Sequence, residues 1–198
     1  ALTALTSGAG NVAIGYQAMD AEDTGDYNTA IGYQALSAQN VDGTVGNSAL
    51  GYQAGLGITT ATHCTAIGYG TMGAHTSGSS NTAIGSGAMA DTDHGDCGTS
   101  VDNVFVGRNA GGGTWSTNDC NYNVGIGNYT LDAAMNSAEG NVAIGHAASS
   151  AITTADNTIA IGYQALNDCT TGDYNIAIGV NSTPLLVSGT RNIGIGVN

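Results

Sequence analysis

The stretch Asn11-Val12-Ala13-Ile14-Gly15 is the unit from which this chain is built. Related five-residue stretches recur along all 198 residues, and their closing glycines are separated by 17 to 22 residues. A short, nearly fixed period predicts a solenoid, in which each repeat forms one coil and buries its apolar face against neighbouring coils. We therefore predict one repeat domain over residues 1–198, with eleven coils whose glycines are Gly15, Gly32, Gly51, Gly68, Gly85, Gly107, Gly127, Gly145, Gly162, Gly179 and Gly196.

The residue before each glycine is β-branched in ten of the eleven coils, which is typical of a strand packed against a core. The residue two positions earlier is Val, Thr, Ser or Ile, and strand alternation points it the same way. These positions predict an all-β parallel β-solenoid, and we expect Ile144→Asp to be severe because it buries a charge. The predicted core column is Ile14, Ile31, Leu50, Ile67, Ile84, Val106, Ile126, Ile144, Ile161, Ile178 and Ile195.

The residue between these two positions should then face outward, yet it is almost always small. A solvated position would carry varied polar residues, so small apolar ones indicate either a tight corner or a second backbone packed closely against the row. We favour the second interpretation, a self-association face. It is formed by Ala13, Ala30, Ala49, Ala66, Ala83, Ala143, Ala160 and Ala177.

Asparagine opens the unit in nine coils, and Cys64 and Thr158 take its place in the other two. Asparagines stacked at about 4.8 Å can hydrogen-bond along the stack and tolerate turn conformations, which predicts an architectural ladder. The ladder is Asn11, Asn28, Asn47, Asn81, Asn103, Asn123, Asn141, Asn175 and Asn192.

Charge excludes several classes of partner. The chain has two Lys plus Arg against fifteen Asp plus Glu, a net charge of −13, so binding to nucleic acid or anionic membrane surfaces is not expected. No apolar run is long enough to insert into a bilayer. We also find no catalytic constellation and do not expect an enzyme. The scarcity of charge and the four cysteines fit an extracellular, disulfide-permissive setting.

The two longest coils are the place where a ligand site is expected, because insertions in solenoids become loops on one face. A surface loop that binds no ligand fits the same pattern of insertions. The candidate ligand residues are Asp91, Asp93, His94, Asp96, Arg108 and Trp115. Outside these coils, Tyr16, Tyr33, Tyr52 and Tyr69 predict an external aromatic ladder, which either stacks between rungs or serves as a sugar-binding platform.

No cofactor is expected, with Ca²⁺ as a weak possibility. Asp20, Glu22, Asp23 and Asp26 could supply oxygen ligands, although solvated acidic turns explain the cluster better. Cys97 and Cys120 lie on adjacent coils, and we predict that they form a disulfide. Cys64 and Cys169 are too many coils apart to pair within one chain.

The runs Asn11–Gly15 and Asn157–Gly162 resemble the head repeat of YadA-like trimeric autotransporter adhesins. They equally resemble the N-T-A-I-G-Y-Q-A-L arrays of phage tail-fibre proteins. The resemblance covers the whole chain and implies a left-handed parallel β-roll, usually with three chains side by side. It also implies exposure outside a cell or virion and a role in attachment.

The register of the repeat suggests a further arrangement. If a second copy followed the first, the next glycine after Gly196 would be Gly15 of that copy, 17 residues later. A sequence cut at the edge of a repeat would show the same register. We expect an extracellular structural fibre subunit that assembles head to tail, with a glycan- or receptor-binding adhesin or tail-fibre segment as the alternative and ice binding as a remote one.

Overall fold

The computed structural model describes residues 1–92, 99–116 and 118–198. It confirms the predicted fold class, an all-β parallel solenoid of about ten turns. Within these ranges, no helix is long and apolar enough to cross a membrane. A second, two-stranded sheet is formed by β2 (Gly25–Asp26) and β4 (Gly43–Thr44). The eleven-stranded main sheet contains β1 (Val12–Ile14), β3 (Thr29–Ile31), β5 (Ser48–Leu50), β6 (Thr65–Ile67), β7 (Thr82–Ile84), β8 (Val104–Val106), β9 (Val124–Ile126), β10 (Val142–Ile144), β11 (Ile159–Ile161), β12 (Ile176–Ile178) and β13 (Ile193–Ile195).

The strands of the main sheet pair in the register of the sequence repeat. Ala143 lies beside Ala160 and Ile144 beside Ile161, and the same correspondence holds from β1 to β13. Successive coils are joined in two alternating ways. The N–H of the first strand residue donates to a main-chain carbonyl of the following coil. The N–H of each closing glycine from Gly32 onward donates to the preceding coil, as Gly162 does to Ile144 at 2.8 Å.

The predicted core column is wrong, because the side chains before the glycines point away from the core. Ile144 is 36% exposed, whereas the neighbouring Ala143 is completely buried. Strand alternation shows that these two positions face opposite sides, but it does not show which side is inward. The self-association face is therefore wrong as well, since its residues face the interior: Ala13, Ala30, Ala49, Ala66, Ala83, Ala143, Ala160 and Ala177.

The large core side chains come from the opposite wall of each coil. On this wall, most residues four positions after a closing glycine are buried. Ile58 and Ile152, which lie seven positions after a closing glycine, are buried there as well. The interior of such a short coil is narrow, so a large side chain from this wall leaves room only for alanine on the strand. The larger buried residues four positions after the glycine are Met19, Leu36, Met72, Met89, Leu131 and Leu166.

One coil exchanges large and small positions. Phe105 occupies the alanine position and is fully buried, with its ring 5.9 Å from that of Trp115. Gly111 faces the ring from the opposite wall and Gly125 lies beside Phe105 on the adjacent strand β9, and an added Cβ at these glycines would approach the ring to 2.8 and 2.6 Å. Interior volume is thus conserved between coils although the residues change.

The asparagines form a ladder inside the stack. The Oδ1 atom of Asn123 accepts the main-chain N–H of Asn141 at 3.1 Å, and its Nδ2 donates to the Ala138 carbonyl at 2.8 Å. In the same way, the main-chain N–H of Asn47 donates to the Oδ1 atom of Asn28 at 2.9 Å. Asn123 therefore satisfies two buried main-chain polar groups of the neighbouring coil, whereas the buried Nδ2 of Asn28 has no hydrogen-bond partner among the described residues.

Candidate functional site

The most extensive candidate site is the outer face of the main sheet. It consists of the first and third residues of the eleven three-residue strands, and we call it the outer strip. None of its residues is charged, although the chain carries a net charge of −13. The most exposed large side chains in it are Val12, Ile14, Leu50, Ile126, Ile144, Ile161, Ile193 and Ile195.

The outer strip is not uniform along the stack. Its first-residue column is polar at Thr29, Ser48, Thr65 and Thr82, and it is Val or Ile from Val104 to the end. A continuous row of exposed apolar side chains is characteristic of an interaction surface. The uniformly small residues that suggested a self-association face belong to the core, and the exposed apolar surface is formed by the isoleucine and valine positions instead.

The tyrosines form a ladder on another part of the surface. Tyr16, Tyr33, Tyr52 and Tyr69 are stacked with ring centroids 5.1–5.3 Å apart and interplanar angles of 7–17°. Sugars bind aromatic platforms through ring faces, and here neighbouring tyrosines cover one another's faces. The geometry thus favours stacking between rungs over the sugar-binding platform.

Beside the tyrosines, Gln17, Gln34 and Gln53 form a second ladder. The Nε2 of each later glutamine donates to the Oε1 of the preceding one at 2.9 Å. These bonds continue along the same coils as the tyrosine stack. Both ladders join neighbouring coils at the surface, which supports an architectural role for this face.

The three candidate ligand residues that the structure describes do not form a ligand site, although the Trp115 N–H donates to the Asp91 carbonyl at 3.1 Å. Trp115 is fully buried against Phe105, so it belongs to the core. Arg108 is exposed and lies over the Tyr129 ring, 5.6 Å from its centroid. The Asp91 carboxylate accepts a hydrogen bond from the Thr114 hydroxyl. The remaining candidates, Asp93, His94 and Asp96, lie outside the described residues.

Two of the weak calcium candidates are engaged in structural hydrogen bonds. Glu22 is fully buried, and it accepts the N–H of Gly25 at 2.7 Å and the side-chain amide of Gln39 at 2.7 Å. Asp26 accepts the N–H of Ala9 at 2.7 Å. Across residues 1–92, 99–116 and 118–198, no group of three His, Cys, Asp or Glu side chains is arranged to hold a metal ion, and this includes Asp20 and Asp23.

The described cysteines are buried. Cys64 and Cys169 are unpaired, as expected from their separation, and burial raises the pKa of the Cys64 thiol to about 11. A thiol with such a pKa stays protonated and unreactive at neutral pH. Cys97 lies outside the described residues, so its disulfide with Cys120 stays a prediction.

Burial also raises the pKa of two carboxyl groups. The pKa of Asp132 rises to about 6. The pKa of Asp156 rises mainly through burial, and the charges of Asp173 and Glu139 on adjacent coils act in the same direction. An acid whose folded-state pKa is raised destabilises the fold when ionised, and this destabilisation is relieved as the pH falls through the raised pKa.

We therefore expect the melting temperature to rise when the pH is lowered from 7 to 5. Asp132→Asn should remove part of this rise and stabilise the chain at pH 7 by about 1 kcal/mol, after allowance for solvent screening of the half-buried group. Thermal unfolding followed by circular dichroism at both pH values measures the effect. Asp102→Asn, which removes an exposed carboxylate, is the matched control. Equal responses of the two variants would contradict the assignment.

The ends of the stack are the last candidate surface. β13 exposes Ile193 and Ile195 by 70% and 73%, the following Val197 is 78% exposed, and β1 exposes Val12 and Ile14 by 45% and 60%. Gly196 keeps a φ of +142°, similar to that of the internal glycines, although nothing lies within 4 Å of an added Cβ there. Both ends thus present strand edges with the geometry of an internal coil.

No protein-family model, no curated protein and no solved structure matches this chain.

Proposed function

We propose that this protein is an extracellular structural fibre subunit that assembles head to tail into a continuous β-solenoid filament. The observation that carries the proposal is the complementarity of β13 and β1, which present the two halves of the contact between internal coils. An exposed parallel strand edge is a template for pairing with another chain. A heterologous contact of this kind propagates into a filament when it does not close into a ring.

The main-chain bonds at the proposed junction follow from those inside the stack. The N–H of the first strand residue donates to the carbonyl that opens the next unit, from Val12 to Asn28 at 2.8 Å through Ile176 to Asn192 at 2.8 Å. The next member of this series is the Ile193 N–H, and its acceptor is the Asn11 carbonyl of a second copy.

The bonds from each closing glycine to the preceding coil continue across the junction in the same way. Gly32 donates to the Ile14 carbonyl at 2.8 Å, and Gly196 donates to Ile178 at 2.9 Å. The Gly15 N–H of a second copy would donate to the Ile195 carbonyl. Two copies placed in this register would also cover part of the side-chain surface of β13 and β1, since Ile144 inside the stack is 36% exposed and Ile195 at its end 73%, and this removes apolar surface from water.

Electron microscopy of the purified chain at increasing concentration tests the proposal. We expect unbranched filaments with an axial repeat of about 50–55 Å, because eleven strands are stacked at about 4.8 Å each. Physiological salt should promote assembly by screening repulsion between acidic subunits. Discrete particles at every concentration would contradict the proposal.

Ile193→Pro is a sharper test of the strand-edge contact. Proline removes the outward N–H donor and is tolerated on an edge strand whose N–H faces away from its neighbour. The variant should keep the circular dichroism spectrum of the parent and form no filaments. Ile193→Ala, which retains the N–H, is the matched control and should still form filaments at higher protein concentration. Filaments of Ile193→Pro with unchanged critical concentration would rule out this contact.

A lateral arrangement of copies is compatible with the filament, and the outer strip favours it. Copies placed side by side in parallel register bring the polar segment from Thr29 to Thr82 opposite itself and the apolar segment from Val104 to Ile193 opposite itself. An antiparallel arrangement would place hydroxyl groups against valine and isoleucine, leaving buried hydroxyls unpaired. Sedimentation of Ile193→Pro would give the number of chains in the lateral assembly, and a monomer would contradict it.

A further inference from the structure

We propose that the cavity at the C-terminal end of the stack is the docking site for the segment Ala1–Leu5 of a second copy of this chain. The inference rests on the proposed head-to-tail assembly and specifies which residues form its junction. The cavity measures about 350 Å³ and is bordered by Ser182, Thr183, Gly194 and Val197 among others. It lies on the interior side of the last coil, below the strand edge of β13.

The cavity continues a row of core residues. The row consists of the residues four positions after each glycine, and it includes Met19, Leu36 and Leu166, which are fully buried between neighbouring coils. Thr183 is the member of this row that borders the cavity. In the register of the repeat, the member that follows Thr183 is Leu2 of a second copy.

Leu2 has the properties that this position requires. Within its own chain it stacks on the second coil, with its N–H donating to the Ala18 carbonyl at 3.0 Å. It packs against the core but is only partly buried, unlike Met19 and Leu36, because one side of it is open. Docking in the cavity would cover that open side with Thr183 and complete the burial seen for the other row members.

The main chain of the cavity is complementary to the same segment. Along the row, each N–H donates to the carbonyl of the residue before the next row member, as Met19 does to Ala35 and Leu166 does to Ser182, both at 3.0 Å. The Thr183 N–H continues this series, and its acceptor is the Ala1 carbonyl of a second copy. Three positions further on, Leu186 of one copy meets Leu5 of the other, which adds an apolar pair.

A designed disulfide tests this contact directly. Row members in adjacent coils are separated by about 4.8 Å, which lies within the Cα separation of about 4.4–6.8 Å that a disulfide needs. Leu2 and Thr183 of one chain are at opposite ends of the stack, so cysteines introduced at these two positions can bond only between copies. We expect a ladder of covalent oligomers from the Leu2→Cys/Thr183→Cys double variant on non-reducing gels, collapsing when reductant is added. Peptide mapping identifies the bond, and the two single variants control for the native cysteines.

A second variant tests the cavity without cysteine chemistry. Thr183→Trp should fill the space intended for Leu2 and raise the critical concentration for filament formation at least tenfold. Ser86→Trp places the same side chain on an exposed position in the middle of the stack and should leave the critical concentration unchanged. Circular dichroism confirms that both variants fold.

The outcomes separate this inference from the proposed function. Interchain disulfides in the Leu2→Cys/Thr183→Cys variant together with impaired assembly of Thr183→Trp support it. Filaments of the unmodified chain, with no such disulfides in the double variant and normal assembly of Thr183→Trp, would overturn the docking site but leave the head-to-tail filament standing. An unmodified chain that stays in discrete particles would overturn both.

Discussion

An Ala143→Asp variant is expected not to fold. Ala143 is fully buried at the centre of β10, between Gly125 of β9 and Ala160 of β11. A carboxylate there would be buried without a cationic partner, since the chain has only two Lys plus Arg residues and the exposed Arg108 lies on the Tyr129 ring. An unpaired buried charge costs several kcal/mol, a large fraction of the roughly 5–15 kcal/mol that typically stabilises a domain. Circular dichroism and limited proteolysis measure the loss.

The matched control is Ile144→Asp, one residue further along the same strand. Because the Ile144 side chain points outward and is partly exposed, its carboxylate stays in water, and we expect a change in unfolding free energy of less than about 1 kcal/mol. The variant should fold but lose lateral association, since it places a charge in the outer strip. Unfolding of Ile144→Asp with normal folding of Ala143→Asp would mean that the inward and outward faces have been assigned the wrong way round.

The second large effect is expected for Gly162→Ala. Gly162 has a φ of +135°, a conformation that residues with a Cβ rarely adopt, and an added Cβ would overlap the carbonyl of Gly179 in the next coil. Backbone strain and displacement of the neighbouring coil each cost about 1–3 kcal/mol. We expect a loss of about 3 kcal/mol or more, seen as a decrease of roughly 10 °C in melting temperature for a chain of this size.

Gly70→Gln is the control for this prediction. Gly70 also has a positive φ, of +60°, but nothing lies within 4 Å of an added Cβ. The equivalent residues of earlier coils are Gln34 and Gln53, with φ values of 54° and 55°. Glutamine at position 70 should therefore be neutral or stabilising, because it extends the glutamine ladder. A loss of stability as large as that of Gly162→Ala would show that positive φ alone, rather than the approach of the next coil, explains the glycine row.

The periodic part of the structure was predictable because each coil repeats the same local chemistry. The positions of all eleven strands in the main sheet follow from the residues before the glycines. The glycine bend and the asparagine ladder follow from conformational and hydrogen-bonding properties that these residues have in any context. The external stacking of the tyrosines follows from their equal spacing after the glycines.

The candidate site was less predictable because it depends on what lies on the far side of each coil. Trp115 was expected in a ligand loop, but it packs in the core against Phe105, which occupies the position that is alanine in most other coils. A useful signal was present in the sequence. Phe105 at a position that is otherwise small is matched by Gly111 in a row that carries Leu or Met in most other coils, which indicates that both positions face one interior.

By itself, the sequence determined that this protein is a stack of short coils, where the strands of the main sheet lie, and the register between coils. These properties depend on periodicity and on local backbone preferences, which are the same in every repeat. Only the tertiary structure decided that the alanines face inward and the isoleucines outward. The alternation of side chains shows that the two positions face opposite sides of a strand, but not which side is buried. Here the large residues of the opposite wall leave a narrow interior, and only the alanine side of the strand fits into it.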